Sequence, residues 1–209
     1  MRALIERRLA ESAVRQESAQ GVFANVEGEI SAELRRALES ANRRAAVLLG
    51  LVEREPGLTV LFTERAAHLS HHAGQVSFPG GLLQSETESP VAAALREASE
   101  EIGLLSADVS VAGCLRSYAT GTGFAVTPVV GFVAGDFVAR PEPAEVSAVF
   151  EVPLEFVLEP GNLRCGRRER FGSRFRVYEL CYEGHRIWGA TAAMLAGFVE
   201  RISYEKTAI

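Results

Sequence analysis

Short apolar runs separated by turn residues predict a series of strands from residue 44 onwards. The runs 44–53 (RAAVLLGLVE) and 58–64 (LTVLFTE) flank the turn Pro56-Gly57 and predict two neighbouring strands. Further predicted strands cover 108–117, 123–133 and 146–152, and a hairpin through Gly172 covers 163–170 and 174–182. The strand signal is therefore sufficient for a sheet of several members.

Apolar residues at helical spacing predict helices between and beyond these strands. The clearest helix runs from about Pro90 to Ile102, just before the C-cap candidate Gly103, and its apolar stripe comprises Val91, Leu95, Ala98 and Ile102. A short helix at 153–158 and a C-terminal helix at about 190–202 follow. Residues 1–43 are also predicted to be helical, on the stripes Leu4, Ile5 and Leu9, then Ile30, Leu34, Ala37 and Leu38.

These elements predict an α/β fold with a mixed sheet between helices. A chain of 209 residues is expected to form a single domain, residues 1–209. We divide it into a core at 44–204 and an N-terminal helical extension at 1–43. The extension is expected to pack on this domain or on a partner subunit, which leaves a homodimer open.

The predicted helix at 90–102 gathers acidic side chains where a helix disfavours them. Glu97 and Glu101 are four residues apart and share the face opposite the apolar stripe, with Glu100 to one side. Like charges at this spacing repel by about 0.2–0.5 kcal/mol per pair, and the helix dipole disfavours anions in the last turns by about 0.3–1 kcal/mol each. A solvated acidic face is the ordinary meaning of such a cluster. A divalent cation is the alternative partner, because the preceding Gly80-Gly81 lets backbone carbonyls approach a ligand closely.

Composition and charge exclude several other classes of protein. The net charge of −5 argues against wholesale nucleic-acid binding. The three cysteines form no C-x-x-C pair and suggest neither a disulfide framework nor a zinc site. The N-terminus MRALIERRLAESAVRQ does not resemble a signal peptide, and no segment reaches the roughly 18–20 apolar residues of a membrane span. We therefore expect a cytoplasmic protein without membrane association.

Residues 96–104 (REASEEIGL) resemble the second half of the Nudix box, R-E-U-x-E-E-x-G-U with U apolar, and all nine positions fit. In the first half of the box, Glu88 has the expected seven residues before Arg96. Six residues, and not the usual five, separate Gly81 from Glu88. The chain is thus similar to the Nudix hydrolase superfamily, with one extra residue between the glycine and the arginine.

The longer spacing is similar to that of one Nudix subgroup, the coenzyme A pyrophosphatases. The run 61–81 (LFTERAAHLSHHAGQVSFPGG) resembles the subgroup pattern L-L-T-x-R-S-x3-R-x3-G-Q-x2-F-P-G-G, with Ser70 at its second arginine. The segment 187–191 also resembles the subgroup, so the likeness covers about residues 44–200. It implies the Nudix α/β/α sandwich, and hydrolysis of coenzyme A or its derivatives to 3′,5′-ADP and 4′-phosphopantetheine or its acyl form.

The resemblance also implies a metal site built on the acidic helix. Hydrolysis of a pyrophosphate needs charge neutralisation, an oriented water and a base, and carboxylates suit Mg²⁺ or Mn²⁺. The expected metal ligands are Glu97, Glu101 and Glu100 with the carbonyl of Gly81. The same three glutamates are assigned jointly as catalytic residues, because the one that activates water varies in this family, and Arg96 is expected to orient them. Glu142 and Glu145 are either a further acid from a later loop or solvated loop residues.

Substrate contacts are expected around the loop that carries Gly74 to Gly81, here called the glycine loop. Arg65 is the best candidate, because a guanidinium binds phosphate bidentately; its alternative is a salt bridge with a nearby acid. The other expected substrate-binding residues are Gln75, Ser77, Phe78 and Gly80. His68, His71 and His72 are interpreted as polar loop residues and not as metal ligands.

Two alternatives remain open at the level of the sequence. The dense run Arg164, Arg167, Arg168, Arg170, Arg174 and Arg176 could face the 3′-phosphate of coenzyme A or could keep an exposed strand pair soluble. The chemistry could also apply to another small-molecule nucleotide such as ADP-ribose, NADH or a nucleoside triphosphate. A protein that binds a nucleotide without turning it over is the alternative from another class.

Overall fold

The computed structural model of the chain describes residues 1–13, 25–28, 31–33, 43–69, 73–120, 123–170 and 172–203. Within these residues, the α-helices are α1 (Arg2–Ala13), α2 (Pro90–Ile102), α3 (Leu154–Leu158) and α4 (Gly189–Ser203). The longer strands are β2 (Arg43–Glu53), β3 (Leu58–Arg65), β6 (Val109–Cys114), β8 (Phe124–Val133), β9 (Val146–Pro153), β10 (Arg164–Arg170) and β11 (Ser173–Tyr182). The shorter strands are β1 (Val26–Glu27), β4 (Val76–Ser77), β5 (Gly80–Leu82), β7 (Tyr118–Ala119) and β12 (His185–Trp188).

A mixed sheet forms the centre of the molecule. Its strands β2 and β8 run parallel, in register from Arg43 opposite Phe124 to Val52 opposite Val133. Strand β3 lies antiparallel to both β2 and β9, and β6 lies antiparallel to β8. The short strands β4 and β5 pair with β3 and β2 respectively, so the chain between them lies where β2 and β3 separate. This gap positions the glycine loop next to α2.

The two faces of the mixed sheet are covered by different elements. Helix α2 packs on one face through Ala93, Ala94, Ala98 and Ile102, each 0% exposed, against apolar residues of β2 and β8. Helices α1 and α4 and the second sheet, formed by β1, β10, β11 and β12, cover the other face. The expected α/β fold with a mixed sheet between helices is confirmed.

Helix α1 packs on the domain itself. Its Ile5 and Leu9 are buried in the same cluster as Phe198 and Ile202 of α4, and Arg2 forms an ion pair with Glu53 at 2.9 Å. The rest of the N-terminal extension, residues 14–43, is also predicted to be helical. Val26 and Glu27 form a strand, which corrects the helical prediction there, and the stripe from Ile30 to Leu38 falls outside the described residues.

The stripe predicted for α2 is rotated relative to the observed buried face. Val91 and Leu95 are only partly buried, whereas Ala93 and Ala94 are fully buried. Helix α2 packs on the sheet through its small alanine side chains, and the larger Val91 and Leu95 lie at the edge of this contact. Among the residues that the structure describes, no helix has the length and apolar character required to cross a bilayer.

Candidate active site

Local sequence signals fix both ends of α2, the helix that carries the acidic residues. Ser89 is the N-cap, and its hydroxyl accepts a hydrogen bond from Ala92 N at 3.1 Å, with Pro90 in the first turn. Gly103 ends the helix in the left-handed conformation with φ of 69°, and its N–H bonds to carbonyls of the last turn. Because both caps are satisfied, Glu97, Glu100 and Glu101 occupy defined positions in the last turns.

The glycine loop approaches α2 more closely than any side chain would allow. A Cβ on Gly81 would lie 2.5 Å from the carboxyl carbon of Glu97. A Cβ on Gly80 would lie 2.4 Å from the carbonyl oxygen of Ala46. The loop is anchored by Leu48 N, which donates to the Pro79 carbonyl at 2.8 Å. Gly81 is therefore required for the contact with the Glu97 carboxylate, and Gly80 is required for the close packing of the loop on β2.

Glu101 is buried between the glycine loop and the end of β3. It is 4% exposed, its Oε2 accepts a hydrogen bond from Gly80 N at 3.0 Å, and its Oε1 lies 4.0 Å from Nη1 of Arg65. The alternative of a solvated acidic face, which the sequence leaves open, does not hold for Glu101. The position borders the alanine face of α2, and the tertiary fold covers it with the loop, which the helical spacing alone does not reveal.

Burial controls the charge of Glu101. Desolvation raises the pKa of its carboxyl to about 7 in the metal-free protein. The Gly80 N–H and the Arg65 guanidinium oppose this pKa rise, and the nearby carboxylates of Glu97 and Glu145 add to it. The site therefore holds an anionic group whose charge is only partly compensated by the described residues around it.

Arg96 organises the other carboxylates. Its Nη1 donates to Glu97 Oε1 at 2.8 Å and to Glu100 Oε2, four residues further along the helix, at 3.1 Å. Its Nε donates to Glu88 Oε1 at 3.1 Å, and this bond lowers the pKa of the Glu88 carboxyl. Nη2 donates to the Leu82 carbonyl at 3.0 Å, which ties the helix to β5. The orienting contacts expected of Arg96 are thus present.

Sequence reasoning gave Glu88 no role in the site. The structure makes Glu88 the anchor of the Arg96 guanidinium, and Gln84 N donates to its other carboxyl oxygen at 2.5 Å. The signal that could have identified it was the seven-residue interval to Arg96. The N-cap and about two helical turns lie between Glu88 and Arg96, so the two side chains lie on the same side of the helix.

The chemistry of the donor groups fits a hard divalent cation, although they do not form a complete coordination site. Within the described part of the chain, no three histidine, cysteine, aspartate or glutamate side chains converge as a ready metal cluster. The reason is visible in the contacts, because Arg96 holds Glu97 and Glu100 while Gly80 holds Glu101. Carboxylate oxygens are the preferred ligands of Mg²⁺ and Mn²⁺, and the buried Glu101 carboxyl lies near the carboxylates of Glu97 and Glu145.

The later loop runs beside the end of α2. Glu142 N donates to the Glu101 carbonyl at 2.8 Å, and Ala66 N donates to the Glu145 carbonyl at 2.9 Å. The side chains of Glu142 and Glu145 are both exposed. Glu145 nevertheless lies close enough to raise the pKa of Glu101, so it is the better candidate for a further acid at the site.

Residues expected to contact substrate differ in how the structure places them. Arg65 ends β3 beside Glu101, and its Nε is buried without a hydrogen-bond partner in the described structure. Ser77 Oγ lies 3.2 Å from Thr63 Oγ1, and the Gln75 carbonyl accepts from Arg65 N at 3.0 Å. Both therefore line the loop next to Arg65.

Phe78 is the exception among the expected substrate contacts. It is 1% exposed and stacks on Phe62 with ring centroids 5.0 Å apart. A direct substrate contact is not supported by this burial, and the ring instead packs beneath the loop. His68 Nε2 contacts the Ala144 carbonyl at 3.2 Å, as a polar loop residue would. Ser70, His71 and His72 lie outside the described residues.

The basic hairpin is partly neutralised by acids of the same molecule. Three of its arginines form ion pairs: Arg167 with Glu27 at 2.9 Å, Arg174 with Glu169 at 3.4 Å and Arg176 with Glu200 at 3.2 Å. These pairs favour the interpretation of an exposed strand pair kept soluble by charge. Arg164 and Arg168 share a strand face with Glu179 and Phe175, opposite to the face that buries Leu180 in the core.

The charge of Glu101 leads to a prediction about stability. Because its folded-state pKa is about 7 and the usual value is 4.5, the folded state binds the proton more tightly than the unfolded state. The metal-free protein should therefore gain stability as pH falls from about 7 to about 4.5. Glu101→Gln should remove the cost of the buried charge, raising the free energy of unfolding at pH 8 by about 1–3 kcal/mol, with little effect at pH 4.5.

Urea denaturation of the metal-free protein at the two pH values measures this effect. Glu100→Gln is the control, because its side chain is 56% exposed and a surface substitution changes stability by about 0.5 kcal/mol or less. A Glu101→Gln variant that is less stable than the parent at pH 8 would contradict the assigned burial.

Comparison with known proteins identifies the class of enzyme that carries this fold and site. The NUDIX domain family matches residues 41–169, more than half of the chain. The chain therefore belongs to the Nudix hydrolase family, whose members cleave nucleoside diphosphate derivatives and generally need a divalent metal such as Mg²⁺ or Mn²⁺.

Individual relatives agree with this family. Proteins of Salmonella paratyphi B and Salmonella newport, both described as "uncharacterized Nudix hydrolase NudL", are 47% identical over 154 residues, which cover 73% of this chain and 79% of each relative. Among solved structures, the Nudix hydrolase RenU of M. smegmatis is similar at 27% identity with a TM-score of 0.44. That match covers 54% of this chain and 71% of the other.

Proposed function

We propose that this Nudix hydrolase cleaves the pyrophosphate bond of coenzyme A or a close derivative, with Mg²⁺ or Mn²⁺ as cofactor. The products are 3′,5′-ADP and 4′-phosphopantetheine or its acyl form. The observation that supports the chemistry is the buried Glu101 carboxylate, held by Gly80 N at 3.0 Å, beside Glu97 and Arg65. The resemblance of residues 61–81 to the coenzyme A subgroup, with the extra residue before Glu88, supports the substrate.

The residues of α2 and the glycine loop would hold the cation. Glu97 and Glu101 supply carboxylates one helical turn apart, Gly81 supplies a carbonyl without a side chain to obstruct it, and Glu100 reaches the same side. A bound Mg²⁺ or Mn²⁺ would neutralise the phosphate oxygens and lower the pKa of water. The three glutamates share the assignment of base, and Arg96 keeps Glu97 and Glu100 oriented through its hydrogen bonds.

Arg65 is the phosphate ligand in this proposal. Its guanidinium lies at the loop, and its buried Nε has no hydrogen-bond partner among the described residues. A guanidinium with an unused donor is suited to a phosphate oxygen. Gln75 and Ser77 line the adjacent strand and could donate hydrogen bonds to the same substrate.

Replacing Arg65 by alanine tests its role in binding. We expect KM for coenzyme A to rise about 10-fold or more, because hydrogen bonds to charged groups contribute about 1.5–3 kcal/mol, and kcat to change less. Steady-state kinetics measure both constants. Arg7→Ala is the matched control, since this arginine is exposed on α1 and belongs to neither the glycine loop nor the basic hairpin. An unchanged kcat/KM in Arg65→Ala would remove Arg65 from the binding site.

A substrate comparison tests the function itself. The purified protein is assayed with coenzyme A, ADP-ribose, NADH and nucleoside triphosphates under Mg²⁺ and under Mn²⁺, with Glu97→Gln as the inactive control. We expect the highest kcat/KM for coenzyme A or an acyl derivative. A tenfold preference for another nucleotide would contradict the substrate, and turnover of none would favour a protein that only binds nucleotides.

A further inference from the structure

The segment 185–191, at the C-terminal end of the core, contacts the glycine loop across the molecule. Thr191 is 8% exposed at the start of α4, and its Oγ1 donates to the Val76 carbonyl at 3.1 Å. Val76 lies in β4, four residues before Gly80. The hydrogen bond joins residues 115 positions apart in the chain, so it is a tertiary restraint on the loop and not a local turn.

His185 connects this segment to the loop by a second and indirect route, through two phenylalanines. Its ring stacks on Phe150 with centroids 3.8 Å apart and an interplanar angle of 8°, and its Nδ1 lies 3.3 Å from Glu64 Oε2. Phe150 stacks on Phe62 at 5.6 Å, and Phe62 stacks on Phe78 at 5.0 Å. The aromatic column therefore runs from His185 to the residue two positions before Gly80.

The two connections therefore act on the loop at Val76 and at Phe78. The Val76 carbonyl is satisfied by Thr191, and a buried carbonyl that loses its partner favours a rearrangement that restores one. A shift of β4 would carry Phe78 and Pro79 with it, because few residues intervene. The Gly80 N–H would then move relative to Glu101 Oε2, which it now contacts at 3.0 Å.

We propose that residues 185–191 form the element that positions the glycine loop, with Thr191 and His185 as positioning residues for the Glu101 site. This inference rests on the metal site of the proposed function. It gives a physical role to the segment Ile187–Thr191, which resembles the coenzyme A subgroup but contributes no side chain to the site as described. The segment acts through the loop and does not contact the reacting groups.

The segment contains its own control residue. Trp188 lies between His185 and Thr191 but is 45% exposed. It pairs with Glu179 in the sheet, one position beyond Ile187, which is 0% exposed. Successive residues of a strand point to opposite faces, so Trp188 faces away from the core that contains the aromatic column. Trp188→Ala therefore alters the same segment without removing either loop contact.

Mn²⁺ binding to the full chain, measured by electron paramagnetic resonance, tests the proposal together with steady-state kcat. We expect Thr191→Val and His185→Ala each to raise the Mn²⁺ dissociation constant three- to tenfold and to lower kcat by a similar factor. Thr191→Ser, which keeps the hydroxyl, and Trp188→Ala should stay within twofold of the parent. Loss of folded protein alone reduces the number of binding sites and leaves the dissociation constant of the remaining sites unchanged.

The outcomes separate this inference from the metal site on which it rests. Unchanged Mn²⁺ dissociation constants in both Thr191→Val and His185→Ala would overturn the positioning role, as would an equal effect in Trp188→Ala. Should Thr191→Val fail to fold, His185→Ala decides the question alone. If Glu97→Gln binds Mn²⁺ like the parent, the proposed metal site fails; if Glu97→Gln loses Mn²⁺ while both positioning variants are normal, only the positioning role fails.

Discussion

Replacing Glu97 by glutamine is expected to lower kcat/KM by about 10³-fold, equivalent to about 4 kcal/mol of transition-state stabilisation. The side chain is packed against bare Gly81 and oriented by Arg96 at 2.8 Å, so its carboxylate is fixed at the place where a cation would bind. Glutamine keeps the shape of the side chain and removes the negative charge. A cation at this site loses the negative charge and one of the two carboxylate oxygens, and only a neutral amide oxygen remains to bind it.

The measurement is metal-dependent turnover at saturating Mg²⁺ and Mn²⁺, with circular dichroism to establish that the fold is retained. Glu86→Gln is the matched control, because Glu86 is an exposed acid in the loop just before the same helix. We expect the control to keep parental kinetics. Near-normal turnover of Glu97→Gln would remove Glu97 from the active site.

Placing a single methyl group on Gly81 should reduce turnover by about 10²-fold, the loss that a misplacement of about 1 Å can cause. The added Cβ would lie 2.5–2.6 Å from the three carboxyl atoms of Glu97, which real Cβ contacts do not tolerate. Glu97 is the more flexible partner, so we expect its carboxylate to move and the fold to remain. Gly81→Ala therefore displaces the ligand without changing its charge.

Gly57→Ala is the control for this second prediction. A Cβ at Gly57 would meet no heavy atom within 4 Å, and the residue lies in the turn between β2 and β3. We expect Gly57→Ala to retain parental kcat/KM and Gly81→Ala to lose most of it, as steady-state assays would show. Equal activity of the two variants would mean that the close approach of loop and carboxylate has no catalytic importance.

Where local signals agree with the tertiary fold, the sequence predicts the structure closely. Helix α2 begins and ends at the predicted residues, because Ser89-Pro90 and Gly103 are strong caps that need no distant partner. The long strands β2, β3 and β8 were recognisable because their apolar runs are buried almost throughout. The sequence predicts one site from the three glutamates and Gly80-Gly81, and the structure places Glu101 against Gly80 and Glu97 against Gly81.

Features set by distant contacts could not be predicted in the same way. The burial of Glu101 depends on the loop that covers it, and its position in the helix resembles that of exposed Glu100. The strand β12 reads His-Arg-Ile-Trp, which carries little apolar signal, and only its pairing with β11 makes it a strand. The hydrogen bond from Thr191 to Val76 joins residues 115 positions apart, so no local sequence pattern predicts it.

In the proposed active site, Glu97, Glu101 and the Gly81 carbonyl together bind the divalent cation that activity requires. Anomalous diffraction from crystals grown with Mn²⁺ tests this binding most directly. We expect an anomalous peak bonded to the carboxylates of Glu97 and Glu101 beside Gly81, and no such peak in crystals of Glu97→Gln. A peak elsewhere in the molecule, with none at these carboxylates under conditions that support turnover, would exclude Glu97 and Glu101 as the metal ligands.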